Sequence, residues 1–245
     1  MARNVWARVA AAAVVSVLVA GCGGAEEEPA GTVSSSASAS EAAASASVSG
    51  GGGLEPLTKA ELTKALLEQG DLADYQVQDL AAPEAGAAPA NTDGELCAAV
   101  ASMLLFATSA EPVAVAGRTV SPTAGDSLGT GTSLVLQSYQ EADAEQGMAD
   151  LQASVVGCPD GFELSDDLKA SAVKSLDAPD VGDEAVAFRL SGGVLGADTP
   201  TAYTVVRSGS TLAIFFAVNL IKPKTVAVPD EVVAAQIGKL EKVAG

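Results

Sequence analysis

The sequence predicts an α+β fold for residues 54–245, with helices packed on an antiparallel sheet and one disulfide. Segments with helical periodicity occur near the start, in the middle and at the end of this range, and the last third is rich in β-branched residues. The predicted strands there follow one another closely, without a regular strand–helix–strand repeat. This order is typical of an antiparallel sheet with helices packed on it.

The first predicted helix begins at Thr58. Thr58 and Glu61 have the spacing of a capping box, in which each side chain bonds the other residue's backbone N–H. Gly70 supplies a stop signal, because glycine often follows the last turn of a helix. A strand is expected around residues 75–77, and the Ala-, Pro- and Gly-rich residues 81–90 are expected to form a loop.

A second helix is predicted to begin at another capping box, formed by Thr92 and Glu95. Cys97 lies in its first turn. The apolar stripe of this helix comprises Leu96, Val100, Met103, Leu104 and Ala107. Residues 111–131 contain Pro and Gly without a clear periodicity, and the sequence assigns no element to them.

A strand over residues 134–139 and a third helix over residues 143–156 are expected next. Gly157 ends this helix, and Cys158 opens the Pro-Asp-Gly turn that follows. A bond between the two cysteines would therefore join the beginning of the second helix to the end of the third.

The last third of the chain is predicted to be mainly strand, over residues 170–176, 184–190, 201–207 and 211–221. Ser208, Gly209 and Ser210 suit a tight hairpin turn between the last two strands. A final helix is expected to begin near Pro229 and Asp230. Its predicted buried residues are Val233, Ile237 and Leu240, and its last turn carries Lys239 and Lys242.

The N-terminal segment has the features of an exported lipoprotein. Arg3 and Arg8 precede an apolar run over residues 9–20 that is too short to span a bilayer, and small residues precede Cys22. A cysteine directly after such a cleavage site resembles the bacterial lipobox. The resemblance implies that residues 1–21 are removed and that Cys22 is lipidated on the extracytoplasmic face of the cell membrane. A plain secretory signal with a chance cysteine is the alternative.

Residues 22–53 are expected to form a disordered tether between the lipidated cysteine and the domain. Beyond Cys22 they are almost entirely Gly, Ala, Ser, Glu, Thr, Val and Pro, so they lack the large apolar side chains that offset the entropy of ordering. A flexible coil of this length has an end-to-end distance of about 30 Å. That distance is enough to hold the domain away from the membrane.

The charge balance limits the classes of partner. The chain has 13 Lys and Arg against 31 Asp and Glu, a net charge of −18. Removal of residues 1–21, which hold two arginines and no acidic residue, leaves a net charge of −20. Such a field opposes binding to nucleic acid and to anionic lipid headgroups. It is compatible with cationic ligands and with solubility outside the cell.

Cys97 and Cys158 are predicted to form the disulfide. They are the only cysteines besides Cys22, and an even pair in an oxidising compartment favours a bond. A bridge that closes a loop of about 60 residues stabilises the fold by roughly 4 kcal/mol in the chain-entropy account. Two buried thiols are the alternative.

The chain contains no histidine, which limits the catalytic chemistry it can perform. Residues 125–129, Gly-Asp-Ser-Leu-Gly, match a nucleophile-elbow pattern and the Gly-Asp-Ser-Leu signature of a hydrolase family. Ser127 would need a base, normally histidine, and no strand is predicted before it. No catalytic residue is therefore predicted. Paired carboxylates stay possible, because 31 acidic residues offer many pairings in space.

Asp177, Asp180, Asp183 and Glu184 form an acidic patch with the oxygen ligands that calcium prefers. Their spacing fits no EF-hand, and an ordinary turn before a strand explains them equally well. The cysteine pair is better used as a disulfide than as a zinc site. No metal and no cofactor are predicted.

Several features occur in a recognisable order: a lipobox and tether, a capped Leu-rich helix, a Cys in the next helix, and a strand ending in Tyr139. A helix ending at Cys158, residues 181–185 (Val-Gly-Asp-Glu-Ala) opening a strand, a hairpin arm over 203–210 and a terminal amphipathic helix follow. This order resembles the extracellular PknH-like sensor domain of actinobacterial kinases and stand-alone lipoproteins, over most of residues 54–245. The resemblance implies a non-enzymatic α+β domain whose cleft binds an unidentified small molecule or cell-wall component. The second disulfide that family members commonly carry is missing.

Three functions are compatible with the sequence. The first is a ligand-binding or sensor-like lipoprotein, the second a structural or partner-docking protein of the envelope, and the third an exported hydrolase that uses carboxylates. A pocket with convergent polar groups would favour the first function. A flat exposed apolar patch would favour the second, and two facing carboxylates would favour the third. The sequence names no ligand-binding residue.

Overall fold

The fold is an antiparallel sheet between two layers of helices, which confirms the predicted α+β class. The computed structural model describes residues 55–80, 94–165, 168–192 and 199–244, all of which belong to one compact unit. Cys22, the signal peptide and the tether lie outside the described residues, as do Thr92 and the loop 81–90. The expectations for them stay predictions.

Nine strands are present in the described ranges: β1 (Tyr75–Asp79), β2 (Ala114–Pro122), β3 (Thr130–Ser138), β4 (Phe162–Ser165), β5 (Leu168–Ala170), β6 (Ala172–Leu176), β7 (Glu184–Ser191), β8 (Thr201–Ser208) and β9 (Thr211–Asn219). The main sheet has the order β1-β2-β3-β9-β8-β7-β6, and each neighbouring pair is antiparallel. Strands β4 and β5 form a separate hairpin. The tight turn predicted between β8 and β9 is confirmed, because Ser208 pairs with Thr211.

The helices are α1 (Lys59–Ala65), α2 (Ala98–Ser102), α3 (Glu141–Gly157) and α4 (Asp230–Ala244), with 3-10 turns at Glu95–Cys97, Met103–Leu105 and Pro223–Thr225. Alternation along β9 shows how they are layered, since successive strand residues face opposite sides of a sheet. Ala213 and Phe215 belong to the core shared with α1 and α4. Leu212 and Ile214 belong to the core shared with α2 and α3. No helix of the described ranges is long and apolar enough to cross a membrane.

Helix α1 is capped as predicted but ends earlier than Gly70. Both bonds of the Thr58–Glu61 capping box are present. The helix ends at Ala65 because Gln236 of α4, which is fully buried, bonds the backbone there. Its Nε2 donates to the Ala65 carbonyl at 2.8 Å, and its Oε1 accepts from the Leu67 N–H at 3.0 Å. The early end was not visible in the sequence, because the partner is about 170 residues away.

The second helix differs from the prediction in its start and in one residue of its stripe. Gly94 occupies the N-cap position without a side-chain bond, and the first turn is a 3-10 turn. A 3-10 turn has three residues per turn, so it rotates the side chains away from the α-helical stripe. Leu96 is 66% exposed as a result, whereas Val100 and Met103 are buried as expected.

Strand β2 occupies the region to which the sequence assigned no element. It pairs with β1 and β3 and so lies inside the sheet. Its sequence combines Ala, Gly, Ser and Pro, residues with low β-propensity, which is why the pattern did not show it. Pro122 is tolerated because it stands at the last position of the strand. The short hairpin of β4 and β5 was missed as well.

The remaining elements confirm the predictions with shifted ends. Strand β3 begins four residues earlier than expected, β6 begins at Ala172 and β9 ends at Asn219. Helix α3 begins at Glu141, and α4 begins at Asp230 with its three predicted apolar residues buried. Cys97 and Cys158 are joined by a disulfide with their Cα atoms 5.2 Å apart, so the predicted bond is present.

Candidate ligand-binding groove

A groove of about 290 Å³ lies between helix α3 and the segment from Glu95 to Ser109. Small and apolar residues line most of it: Leu96, Ala98, Ala99, Met103, Ala107, Gly147, Leu151 and Ala153. Its polar lining residues are Glu95, Ser102, Thr108, Ser109, Asp150 and Ser154. The Ala and Gly residues on both walls leave open space between them, while the buried Met103 and Leu151 belong to the core below.

Hydrogen bonds hold the two walls of the groove together. The Ser154 hydroxyl of α3 donates to the Leu96 carbonyl at 2.7 Å and accepts from the Val100 N–H at 3.1 Å. Within the wall formed by residues 95–109, the Ser102 hydroxyl donates to the Ala98 carbonyl at 2.7 Å. Both serines are buried. Ser154 therefore fixes the distance between the walls, because unmaking its bonds would leave buried polar groups unpaired.

A buried network closes the end of the groove at Thr108. The Tyr139 hydroxyl lies 3.0 Å from Thr108 Oγ1 and donates to Gln137 Oε1 at 2.7 Å. Gln137 Nε2 donates in turn to the Phe106 carbonyl at 2.6 Å. Burial raises the pKa of Tyr139 to about 12, so its hydroxyl stays protonated and continues to donate at neutral pH.

Phe106 has an unusual backbone conformation beside this network. Its φ of +52° and ψ of 34° are left-handed, a region that large side chains rarely adopt and that costs on the order of 1–3 kcal/mol. The bond from Gln137 and an edge-to-face contact with the Phe216 ring, 6.3 Å between centroids, hold it there. This reversal turns the chain from the 3-10 turn at Met103–Leu105 toward Thr108.

The charges of the groove are negative. Asp150 has both carboxylate oxygens engaged, since Oδ2 lies 3.2 Å from the Ser109 hydroxyl and Oδ1 accepts from Gln146 Nε2 at 2.7 Å. Glu95 is the other charged lining residue, and no Lys or Arg is among them. The groove therefore favours a neutral or cationic group and repels an anion.

The disulfide joins the two walls covalently at one end. Cys97 closes the first turn of the segment, and Cys158 directly follows helix α3. Separation of the walls at this end would require breaking a covalent bond. The groove is thus held by the disulfide at one end and by the Thr108–Tyr139–Gln137 network at the other.

A second, more open cavity of about 930 Å³ lies at the hairpin between β8 and β9. Six acidic residues line it: Glu55, Glu61, Glu141, Glu145, Asp183 and Glu241. Two of them, Glu61 and Asp183, have structural partners. Glu61 accepts the Thr58 bonds, which lower the pKa of its carboxyl, and Asp183 accepts from the Gly209 N–H at 2.7 Å. These bonds give Glu61 and Asp183 structural roles that require no ligand.

The acidic patch that resembles a calcium site contains an arginine clamp. Arg207 Nε lies 2.6 Å from Glu184 Oε1, and its NH1 lies 3.2 Å from Asp183 Oδ2. Asp177 and Asp180 are exposed to solvent. Among the described residues, no three acidic or cysteine side chains are grouped closely enough to hold a metal ion. The patch fastens the start of β7 to the β8–β9 hairpin.

Ser127 has neighbours that the sequence did not suggest. It lines one shallow cavity with Tyr75 and Glu231, and Tyr75 donates to Glu231 Oε1 at 2.6 Å. Burial first, and then the bond to Glu231 and its charge, raise the pKa of Tyr75 above its ordinary value. Tyr75 therefore keeps its proton at neutral pH and is no base for Ser127. The three residues connect β1, the loop before β3 and α4.

Sequence reasoning identified the disulfide beside the groove and assigned Leu96, Met103 and Ala107 to an apolar helix stripe, but it identified no residue as part of a ligand site. Two pairs of small residues carried a weak signal: Ala99 with Ser102, and Gly147 with Ser154, at helical spacing on facing segments. Their proximity became visible only through the folded chain. Thr108 and Asp150 gave no signal, because single polar residues are common on exposed helices and loops.

No family model matches this chain, and no curated protein is similar to it at a significant level. The solved structures that match this chain include the following two. The extracellular domain of PknH from Mycobacterium tuberculosis has a TM-score of 0.49 and 10% identity, over 78% of this chain and 98% of that one. An uncharacterized protein from Mycobacterium smegmatis has a TM-score of 0.39 and 11% identity, over 76% and 95%. The sensor domain that the sequence resembles is thus found among similar structures.

Proposed function

We propose that this protein is a lipid-anchored extracytoplasmic binding protein whose sensor-like domain holds a small ligand without turning it over. One observation carries the proposal: a concave groove of small and apolar residues, with a few fixed polar groups, lies between α3 and the segment 95–109. Ligand sites are typically concave and mostly apolar, with a few placed polar groups. The groove has that composition.

The groove also indicates the chemical class of the ligand. Its volume of about 290 Å³ is close to the lower limit of ordinary ligand pockets, about 300 Å³. Met103 and Leu151 favour an apolar body. Asp150 beside Ser109 and Glu95 near the disulfide lie toward opposite ends of the groove, and each favours a hydroxyl, amide or ammonium group on the ligand. We therefore propose a small, mostly apolar ligand that is neutral or cationic.

Absence of turnover is part of the proposal. It rests on the lack of histidine, on the cysteine pair being consumed by the disulfide, and on a Tyr75 that keeps its proton beside Ser127. Binding needs only the shape of the groove and a few polar groups, all of which are present.

Anchoring through Cys22 is the second part of the proposal, and it rests on the N-terminal sequence alone. The basic start, the short apolar run and the small residues before Cys22 support it. Cys22→Ala should release the protein into the medium or leave an unprocessed precursor. Mass spectrometry that finds the same lipid mass on the Cys22→Ala chain would reject the anchor.

A screen of envelope extracts, read both as thermal shift and as product formation, tests the binding proposal. A ligand at about 100 times its Kd stabilises the fold by roughly 2.7 kcal/mol, which raises Tm by roughly 5–10 °C in a domain of this size. Ala153→Phe places a ring in the groove and should abolish the shift. Ala149→Phe is the matched control, because Ala149 is exposed on the same helix outside the lining.

Three outcomes of this screen would reject the proposal. Turnover that disappears in a Ser127→Ala chain would make the protein an enzyme. A thermal shift that Ala153→Phe leaves unchanged would place the ligand outside the groove. No shift and no turnover, with a protein partner recovered by cross-linking from intact envelopes, would favour the partner-docking alternative.

A further inference from the structure

Three exposed apolar residues meet at the end of the sheet where β3 begins and β9 ends. Leu128 is 46% exposed, Leu220 is 80% exposed and Ile221 is 64% exposed. They are adjacent in space, because the Leu220 N–H bonds the Gly129 carbonyl at 3.3 Å and the Ile221 side chain covers Gly129. We call Leu128, Leu220, Ile221 and the two lysines that follow, Lys222 and Lys224, the apolar tip.

The backbone of the apolar tip is fixed by one buried side chain. Asn219 Oδ1 accepts from the N–H groups of Ile221 at 2.9 Å and Lys222 at 2.6 Å. Its Nδ2 donates to Thr130 Oγ1 at 2.7 Å. Asn219 thereby holds Leu220 and Ile221 in an exposed position, where they lose apolar burial that a different loop conformation could regain. Large aliphatic side chains that are exposed next to one another form an apolar patch, and such patches mark binding surfaces.

The charge of the tip differs from that of the molecule. Lys222 and Lys224 are exposed, and neither forms an ion pair among the described residues. The chain as a whole has a net charge of −18. At physiological salt, charges further than about 8 Å from a surface are largely screened. Lys222 directly follows Ile221, whereas Asp126, the acidic residue nearest to Leu128 in the chain, lies two residues before it. Both lysines therefore attract an anionic surface at short range when the tip touches it, against the charge of Asp126.

We propose that the apolar tip binds directly to an anionic lipid bilayer, with Leu220 and Ile221 in the interface and Lys222 and Lys224 on the headgroups. Aliphatic side chains flanked by lysines have the chemistry of interfacial binding. The membrane is within reach if Cys22 is lipidated, so the inference rests on the anchoring proposal for proximity alone. Glu55 lines the cavity at the β8–β9 hairpin, which is the opposite end of the sheet. A tether with an end-to-end distance of about 30 Å can bridge strands of nine residues, which are also about 30 Å long.

Vesicle co-sedimentation of the mature chain, residues 22–245 with Cys22→Ala, tests the tip without the anchor. Vesicles of phosphatidylglycerol mixed with phosphatidylcholine should bind it, and binding should fall as salt rises. Leu220→Ser with Ile221→Ser should lower the partition coefficient at least about tenfold. Lys222→Glu with Lys224→Glu should abolish the preference over phosphatidylcholine alone.

Val113→Ser with Val156→Ser is the matched control, because this pair is similarly exposed, lies outside the groove lining and is not followed by a lysine. It should bind vesicles like the parent chain, and thermal unfolding of every variant should show an intact fold. Failure of the parent chain to bind phosphatidylglycerol vesicles would overturn the proposal and leave the Cys22 anchor untouched. A parent dimer that Leu220→Ser with Ile221→Ser dissociates, without vesicle binding, would assign the tip to a second copy of the chain.

Discussion

At the scale of single residues, buried polar side chains fix particular backbone conformations of this fold. Gln236 ends helix α1, Asn219 fixes the apolar tip, and Gln137 supports the left-handed Phe106. Each satisfies a backbone group that would otherwise be buried or strained without a partner. Such residues make a conformation unique, because only one arrangement pairs all of their polar atoms.

Tyr139→Phe tests the network at the closed end of the groove. It leaves the buried Gln137 Oε1 without its donor, so we expect a loss of about 1–3 kcal/mol in the free energy of unfolding. Urea denaturation followed by circular dichroism measures that loss. Ligand binding should weaken at the same time, since Thr108 loses its neighbour. A variant as stable as the parent would show that the bond from Tyr139 to Gln137 does not stabilise the fold.

The raised pKa of Tyr139 predicts that the stability of the fold depends on pH. Burial raises the pKa of Tyr139 to about 12 in the folded chain, against about 10 in the unfolded chain. The folded state holds the proton more tightly, so its contribution to stability is complete below pH 10 and is lost as pH rises toward 12. Stability should fall in this window, less steeply for Tyr139→Phe than for the parent. Equal slopes of stability against pH for the parent and Tyr139→Phe would contradict the raised pKa of Tyr139.

At the scale of elements, the motif Val-Gly-Asp-Glu-Ala at residues 181–185 acts as a fastener. Gly182 has a φ of +67°, and a Cβ there would lie 2.5 Å from the Arg207 carbonyl oxygen. Asp183 and Glu184 then bond the Arg207 guanidinium. The motif that carries the family resemblance thus joins the start of β7 to the β8–β9 hairpin. Its role in the described structure is to hold these strands together.

Two glycine substitutions separate this role from general glycine effects. Gly182→Ala should destabilise the fold by at least about 2 kcal/mol, because a left-handed residue gains a Cβ that meets backbone. Gly238→Ala in α4 has open space around its Cβ and should stabilise the fold by about 0.5–1 kcal/mol. Thermal and urea unfolding measure both. Equal and small changes in stability for the two variants would contradict the role of residues 181–185 in joining the start of β7 to the β8–β9 hairpin.

Local signals predicted the elements that depend on local physics. Residues close together in the sequence determine each of three features: the capping box at Thr58, the turn at Gly209 and the apolar stripe of α4. The end of α1 and strand β2 were missed, because distant partners decide them. The groove was missed for the same reason. Its walls come from two segments about 50 residues apart, and only the disulfide between them was visible in the sequence.

At the scale of the whole molecule, the fold places three surfaces at different positions around one sheet. The groove lies on the face covered by α2 and α3, the acidic cavity lies at the β8–β9 hairpin, and the apolar tip lies at the opposite end of β9. Under the two proposals, the tip would touch a bilayer while the groove, which lies on a face of the sheet, would stay open to a ligand. The net charge of −18 keeps the rest of the surface hydrated.

Native mass spectrometry of the protein purified from its own membranes tests the central claim, a bound ligand in the groove, most directly. The parent chain and Ala149→Phe should carry an added mass that denaturation releases. Ala153→Phe should carry none, because its ring occupies the site. An added mass that persists in Ala153→Phe, or a parent chain without one, would contradict the claim that this groove holds the ligand.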